Sequence, residues 1–109
     1  MRLQLNLNQY YENLNISQVN KIYSKFIDMK YEVYYITGLL EMPEEKRYEI
    51  SWYVHRSAML KICQEINEIM IGYGKGPVFD IKGMDDTDYR AIISKYEYLM
   101  SEPQTDGKK

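Results

Sequence analysis

Apolar residues recur along the first half of the chain at alternating spacings of three and four, between positions 19 and 40. This spacing places them along one side of an α-helix, as at the a and d positions of a heptad. Ser17 suits the N-cap of that helix, and Gly38 offers a stop that ends it at Thr37 or shortly after. A strand over 31–36 is the alternative, because Tyr, Val and Ile favour sheets, but the unbroken heptad favours the helix. The line consists of Val19, Ile22, Phe26, Met29, Val33, Ile36 and Leu40.

A second helix is predicted to start at Pro43, which suits a first helical turn, with Glu44 and Glu45 at its positive end. Glycines at 72, 74 and 76 then end it. Two long helices joined by a short connection predict an antiparallel hairpin. The apolar line of this second helix is Trp52, His55, Met59, Ile62, Ile66, Ile69 and Tyr73.

A third helix is predicted after residue 85, with Asp85 or Asp86 as its N-cap and Asp88 adding negative charge to its first turn. Residues 1–100 are expected to form a single α-helical domain, and residues 101–109, which are mostly polar, a flexible tail. The apolar face of the third helix is Tyr89, Ile92, Ile93, Tyr96, Leu99 and Met100.

Residues 2–8 alternate leucine with polar side chains, which is typical of a half-buried strand. A strand needs a hydrogen-bonding partner. The internal candidate is the segment 77–82, and the other candidate is the same strand of a second copy. The fold class expected is therefore mainly α: an antiparallel helical hairpin plus a third helix, with a minor two-stranded β element formed by 2–8 and 77–82.

Composition is that of a globular protein, with 45% hydrophobic and 28% charged residues. The net charge of −2 is spread evenly along the chain, and this excludes a basic arm or an acidic tail. The sequence shows neither a signal peptide nor a membrane span, so we expect a cytoplasmic protein. Twelve tyrosines against two phenylalanines, with abundant Ile and Lys, are typical of an AT-rich coding sequence, as in a low-GC bacterium or its phage.

The chain has one histidine and one cysteine, and both fall on the second helix. His55 lies in the apolar line without further metal ligands nearby in the sequence, so we interpret it as a structural imidazole bonded to a Tyr or Glu of a neighbouring helix. Cys63 has no adjacent base or cation on its own helix face, so we expect it to pack in the core.

Two other segments resemble ligand sites only weakly. The glycines of 72–77 have the wrong spacing and context for a phosphate-binding loop. Helix capping explains most of the acidic cluster formed by Asp80, Asp85, Asp86 and Asp88, which lacks the calcium-loop pattern. We therefore expect no metal and no cofactor.

A nucleic-acid surface is an alternative for the first helix, where Lys21, Lys25 and Lys30 alternate with Tyr23 and Tyr31. Acidic side chains at 28 and 32 interrupt this pattern, and the third helix is not basic. Nucleic acid is therefore an unfavoured partner.

A second apolar stripe on the first helix is formed by Ile27, Tyr31, Tyr34 and Tyr35. A helix with two apolar faces is buried on both sides or docks a partner. Either the third helix covers this stripe within the monomer, or the stripe is a partner-binding surface, because tyrosine is enriched at interfaces.

Together these patterns favour a small non-catalytic protein-binding module, such as an inhibitor, adaptor or assembly factor. The AT-rich bias also fits a module that a phage or mobile element encodes and aims at a host protein. A nucleic-acid-binding accessory protein is the first alternative, and an enzyme with an unrecognised site is the second. Self-association as a two-fold dimer is also expected, because residues 2–8 have one short internal partner and the first helix has two apolar stripes.

Overall fold

A computed structural model describes residues 14–47 and 51–101, and this part of the chain is mainly helical. It contains four helices: α1 (Ile16–Leu40), α2 (Glu44–Arg47), α3 (Trp52–Gly72) and α4 (Asp86–Met100). Ion pairs run from Lys25 to Glu65 and from Glu32 to His55, so α1 and α3 are antiparallel, which confirms the predicted hairpin. None of the described helices is long and apolar enough to cross a membrane.

The start of α1 differs from the prediction, because Asn15 is the N-cap and Ser17 lies inside the first turn. The Asn15 side chain accepts a hydrogen bond from the Gln18 amide at 2.8 Å, and the Gln18 side chain accepts one from the Asn15 amide at 3.0 Å. This reciprocal pair satisfies two amides that would otherwise lack partners. All seven residues of the predicted apolar line are buried.

The end of α1 lies at Leu40, so Gly38 is a residue of the helix and does not stop it. Arg47 explains this extension, because its guanidinium group donates to the carbonyl oxygens of Leu39 at 2.8 Å and of Leu40 at 3.2 Å. Carbonyl groups in the last turn of a helix have no partners within the helix. Here the Arg47 side chain adds to two other donors, the Met42 amide on the Leu39 carbonyl and Arg90 on the Leu40 carbonyl.

The second predicted helix is divided into α2 and α3. Ser51 has a φ of +51°, a left-handed conformation, immediately before α3 begins at Trp52. A residue in this conformation cannot continue a right-handed helix, so Ser51 separates α3 from what precedes it.

The buried face of α3 is turned slightly from the predicted line. Met59 and Ile66 are buried as expected, but His55, Ile62 and Ile69 are only partly buried, and Cys63 and Met70 take their places in the core. The helix ends as predicted at the glycines: Gly74 is left-handed, and the amide of Lys75 donates to the Met70 carbonyl at 2.9 Å.

The third helix, α4, agrees with its prediction. Asp85 is the N-cap and forms a capping box with Asp88. All members of the predicted apolar face are buried except Met100, which is partly buried. Tyr96 of α4 packs beside Phe26 of α1, with ring centroids 6.1 Å apart.

The segment 77–82 forms no strand, contrary to the prediction. The side chain of Asn67 on α3 accepts hydrogen bonds from the amides of Val78 and Phe79, at 2.7 and 2.8 Å, and donates to the Phe79 carbonyl at 2.9 Å. These are main-chain groups that a paired strand would use, so one amide side chain replaces the strand partner here. The strand predicted at 2–8 and most of the predicted tail, 102–109, lie outside the described residues.

Candidate protein-docking surface

The second stripe of α1 is exposed. Tyr31 and Tyr34 retain 72% and 75% of their accessible surface, Tyr35 retains 48% and Ile27 43%. Helix α4, the predicted third helix, packs on another side of α1 and does not cover the stripe. The interpretation that this helix covers the stripe within the monomer is therefore wrong. We call these four residues the tyrosine surface.

An open groove of about 630 Å³ adjoins the tyrosine surface, and we call it the Gly38 groove. Gly38 contributes no side chain to it, and a Cβ atom at this position would meet nothing within 4 Å. The other walls are mainly apolar. They include Val33, Tyr34, Tyr35, Met42 and Tyr96, with the charged side chains of Lys30 and Glu97.

Gly38 and Met42 were not predicted to belong to this surface. They continue the spacing of the stripe, because Tyr31, Tyr34, Gly38 and Met42 succeed one another at intervals of three or four residues. Because the sequence pattern placed the end of the helix near Gly38, the predicted stripe stopped at Tyr35 and left out Gly38 and Met42.

Tyr35 is held in place by His55. The two rings stack with centroids 4.3 Å apart and planes 16° apart. His55 Nδ1 lies 2.8 Å from a Glu32 carboxylate oxygen, and the ring of Tyr34 packs edge-on against Tyr35 at 5.7 Å. The expected contact of His55 with a Glu of a neighbouring helix is confirmed, and its structural role stays a prediction.

A second cavity, of about 470 Å³, lies between the start of α3 and the start of α4. Arg47 and Arg56 line it together with Trp52 and Asp86. Arg47 is bound to Asp86, whereas Arg56 donates to the Tyr89 hydroxyl at 3.3 Å. The buried Nε of Arg56 has no hydrogen-bond partner among the residues that the structure describes. Since carboxylates and guanidinium groups are mixed here, the cavity has no clear charge preference for a ligand.

Cys63 is completely buried, and this burial raises the pKa of its thiol to about 12. A thiol with such a pKa is not ionised at neutral pH and is a poor nucleophile. The prediction that Cys63 packs in the core is confirmed.

The acidic and basic clusters have structural partners. Asp85 and Asp88 cap α4, and Asp86 binds Arg47. Within the ranges described, no three His, Cys, Asp or Glu side chains are grouped to hold a metal ion. Lys25 binds Glu65 at 2.9 Å, and this removes one cation from the basic–aromatic pattern of α1.

Comparison with known proteins adds no relative: the chain matches no protein-family model, no curated protein and no solved structure. Its function therefore has to be argued from the surface itself.

Proposed function

We propose that this chain is a non-catalytic protein-binding module that docks a segment of another protein through the tyrosine surface and the Gly38 groove. The observation that carries this proposal is the exposure of Tyr31 and Tyr34 beside an apolar groove. Exposed apolar patches on small proteins usually mark interaction sites. Tyrosine is also among the residues that contribute most to binding energy when an interface covers them.

The shape of the surface suits a segment better than a small molecule. The groove is open and continues into a row of exposed side chains along α1. Grooves of this kind receive the apolar side chains of an amphipathic helix or an extended peptide. Such docking suits a regulatory, inhibitory or adaptor role, because each of these roles requires binding and no catalysis by this chain.

Gly38→Phe provides the test, because the new ring fills the groove from an open helical position. Wild-type protein, Gly38→Phe, the double variant Tyr31→Ala/Tyr34→Ala, and Tyr98→Ala as a control are immobilised and exposed to extract of the source organism. Tyr98 is a similarly exposed tyrosine that does not line the groove. We expect a protein retained by wild type and Tyr98→Ala but lost from the other two, with all four equally folded by circular dichroism. Equal retention by all four would contradict the proposal, as would retention of nucleic acid alone.

The two-fold dimer remains a prediction and would be a different use of the same surface. Light scattering coupled to gel filtration distinguishes the two, since a dimer has twice the 13.1 kDa mass of the chain. Conversion of a wild-type dimer to a monomer by Gly38→Phe would assign the groove to a second copy.

A further inference from the structure

We infer that the segment docked in the Gly38 groove is basic as well as apolar: it presents an apolar side chain to the groove and Arg or Lys to the tyrosines. This inference rests on the proposed function and adds the chemistry of the partner. It is carried by the charges around the groove and by the exposed faces of the tyrosine rings.

Carboxylates predominate around the tyrosine surface. Asp28 precedes Tyr31 by one helical turn, Glu41 follows Gly38 by one turn, and Glu97 lines the groove itself. All three are exposed, and none forms an ion pair within the part of the chain described. Lys30 is the cation among the groove-lining residues. The surface therefore has an acidic excess that a basic partner would neutralise.

The neighbouring guanidinium groups offset this excess only in part, because Arg47 is paired with Asp86 and Arg90 adds one positive charge against the three carboxylates. Arg47 is buried and binds Asp86, and Arg90 donates to the Leu40 carbonyl at 3.1 Å. Both are committed to the packing of α4 against the end of α1. By contrast, the carboxylates of Asp28 and Glu97 remain open to a partner.

The tyrosine rings favour the same partner. The face of an aromatic ring carries negative electrostatic potential and attracts Arg and Lys side chains. Tyr31 and Tyr34 are about three-quarters exposed, so their rings are accessible to such contacts. Asp28 and Tyr31 lie one turn apart on the same side of α1, where one arginine could contact both.

Other occupants fit these charges less well. Nucleic acid and an anionic membrane would both bring negative charge to an acidic surface. A second copy related by a two-fold axis would bring the same carboxylates towards each other, which costs free energy wherever they remain unpaired. A basic apolar segment has neither disadvantage.

Selection from a displayed random-peptide library tests the inference without a known partner. Peptides are selected on the wild-type protein in the presence of excess soluble Gly38→Phe, which removes binders that do not use the groove. We expect the enriched peptides to combine a large apolar residue with Arg or Lys. Enrichment of acidic or uncharged peptides would overturn the inference about charge and leave the proposed function standing. If no peptide is enriched over the Gly38→Phe competitor, both are contradicted.

Two charge variants with the same change in net charge then test the mechanism on a selected peptide. Asp28→Asn/Glu97→Gln removes carboxylates beside the groove, and Glu68→Gln/Asp80→Asn removes two exposed carboxylates that do not line it. We expect the first variant to weaken binding about tenfold and the second less than about twofold, with affinity falling as salt is added. Equal effects of the two variants, or affinity that does not change with salt, would overturn the inference. So would a wild-type dimer that Gly38→Phe disrupts.

Discussion

The guanidinium group of Arg47 donates to both carboxylate oxygens of Asp86, at 2.8 and 2.9 Å, from a position where only 5% of the arginine is exposed. The same group donates to the carbonyl oxygens that end α1, and it lies 5.3 Å from the centre of the Trp52 ring. One side chain therefore joins the end of α1, the short helix α2 and the first turn of α4. The Gly38 groove depends on this junction, because residues of α1 and of α4 form its walls.

Arg47→Met should lower the free energy of unfolding by roughly 2–4 kcal/mol, because it removes the hydrogen bonds to the Leu39 and Leu40 carbonyls and to Asp86 together. Asp86→Asn should cost less, about 1–2 kcal/mol, since the carbonyl bonds of Arg47 remain. Urea unfolding followed by circular dichroism measures both. An equal loss in the two variants would show that the ion pair, and not the capping of α1, is the main contribution.

Stability should fall in acid through the same pair. The hydrogen bond from Arg47 is the main cause that holds the pKa of Asp86 below its ordinary value of 3.8. A carboxyl group whose pKa is lower in the folded state stabilises the protein above its ordinary pKa, and this contribution is lost as the pH falls through the lowered value. Unfolding midpoints measured from pH 6 down to about pH 2 should therefore decline below about pH 4, and less steeply in Asp86→Asn. Identical slopes for the two proteins would contradict the assignment to Asp86.

Gly38→Ala should stabilise the protein by roughly 0.5–1 kcal/mol, because alanine favours a helix and a Cβ atom here meets no neighbour. Gly38→Phe should also fold, and its thermal midpoint should not fall below that of wild type by more than a few degrees. Thermal unfolding of the three proteins is the measurement. A large loss of stability in Gly38→Ala would mean that the groove is occupied in the folded chain.

Tyr31→Ala/Tyr34→Ala should change the free energy of unfolding by no more than about 0.5 kcal/mol per residue, because both rings are exposed. Tyr89→Ala, which removes a buried ring of the same type, should cost about 3–5 kcal/mol. Denaturant unfolding of the two variants compares a surface role with a core role directly. If the double variant loses as much stability as Tyr89→Ala, these tyrosines belong to the core.

His55→Gln should lower the free energy of unfolding by about 1–2 kcal/mol, because it removes the stack on Tyr35 and weakens the contact with Glu32. Binding of a selected peptide should survive in the folded variant, since α1 itself presents Tyr31 and Tyr34. Calorimetric titration beside a melting curve separates the two effects. Loss of binding with an unchanged melting temperature would give His55 a direct part in recognition.

Local patterns in the sequence determined much of this fold. The heptad of α1, the capping of α4 by Asp85 and the glycine end of α3 each depend on residues a few positions apart, so periodicity and capping rules are sufficient to predict them. Helical spacing also showed that the tyrosine stripe is a second apolar face of α1. The predicted stripe lacked Gly38 and Met42 only because Gly38 was interpreted as the end of the helix.

Tertiary contacts decided the rest. Asn67 satisfies main-chain groups of residues 78 and 79 from a neighbouring helix, so the segment 77–82 needs no strand partner. Arg47 extends α1 from a position seven residues beyond its end. Whether α4 covers Tyr31 depends on which side of α1 it packs against. Helical spacing shows that α1 has two apolar sides but does not tell which of them is buried. Burial is a property of the surfaces that meet, so the exposed side of α1 became known only when its neighbours were in place.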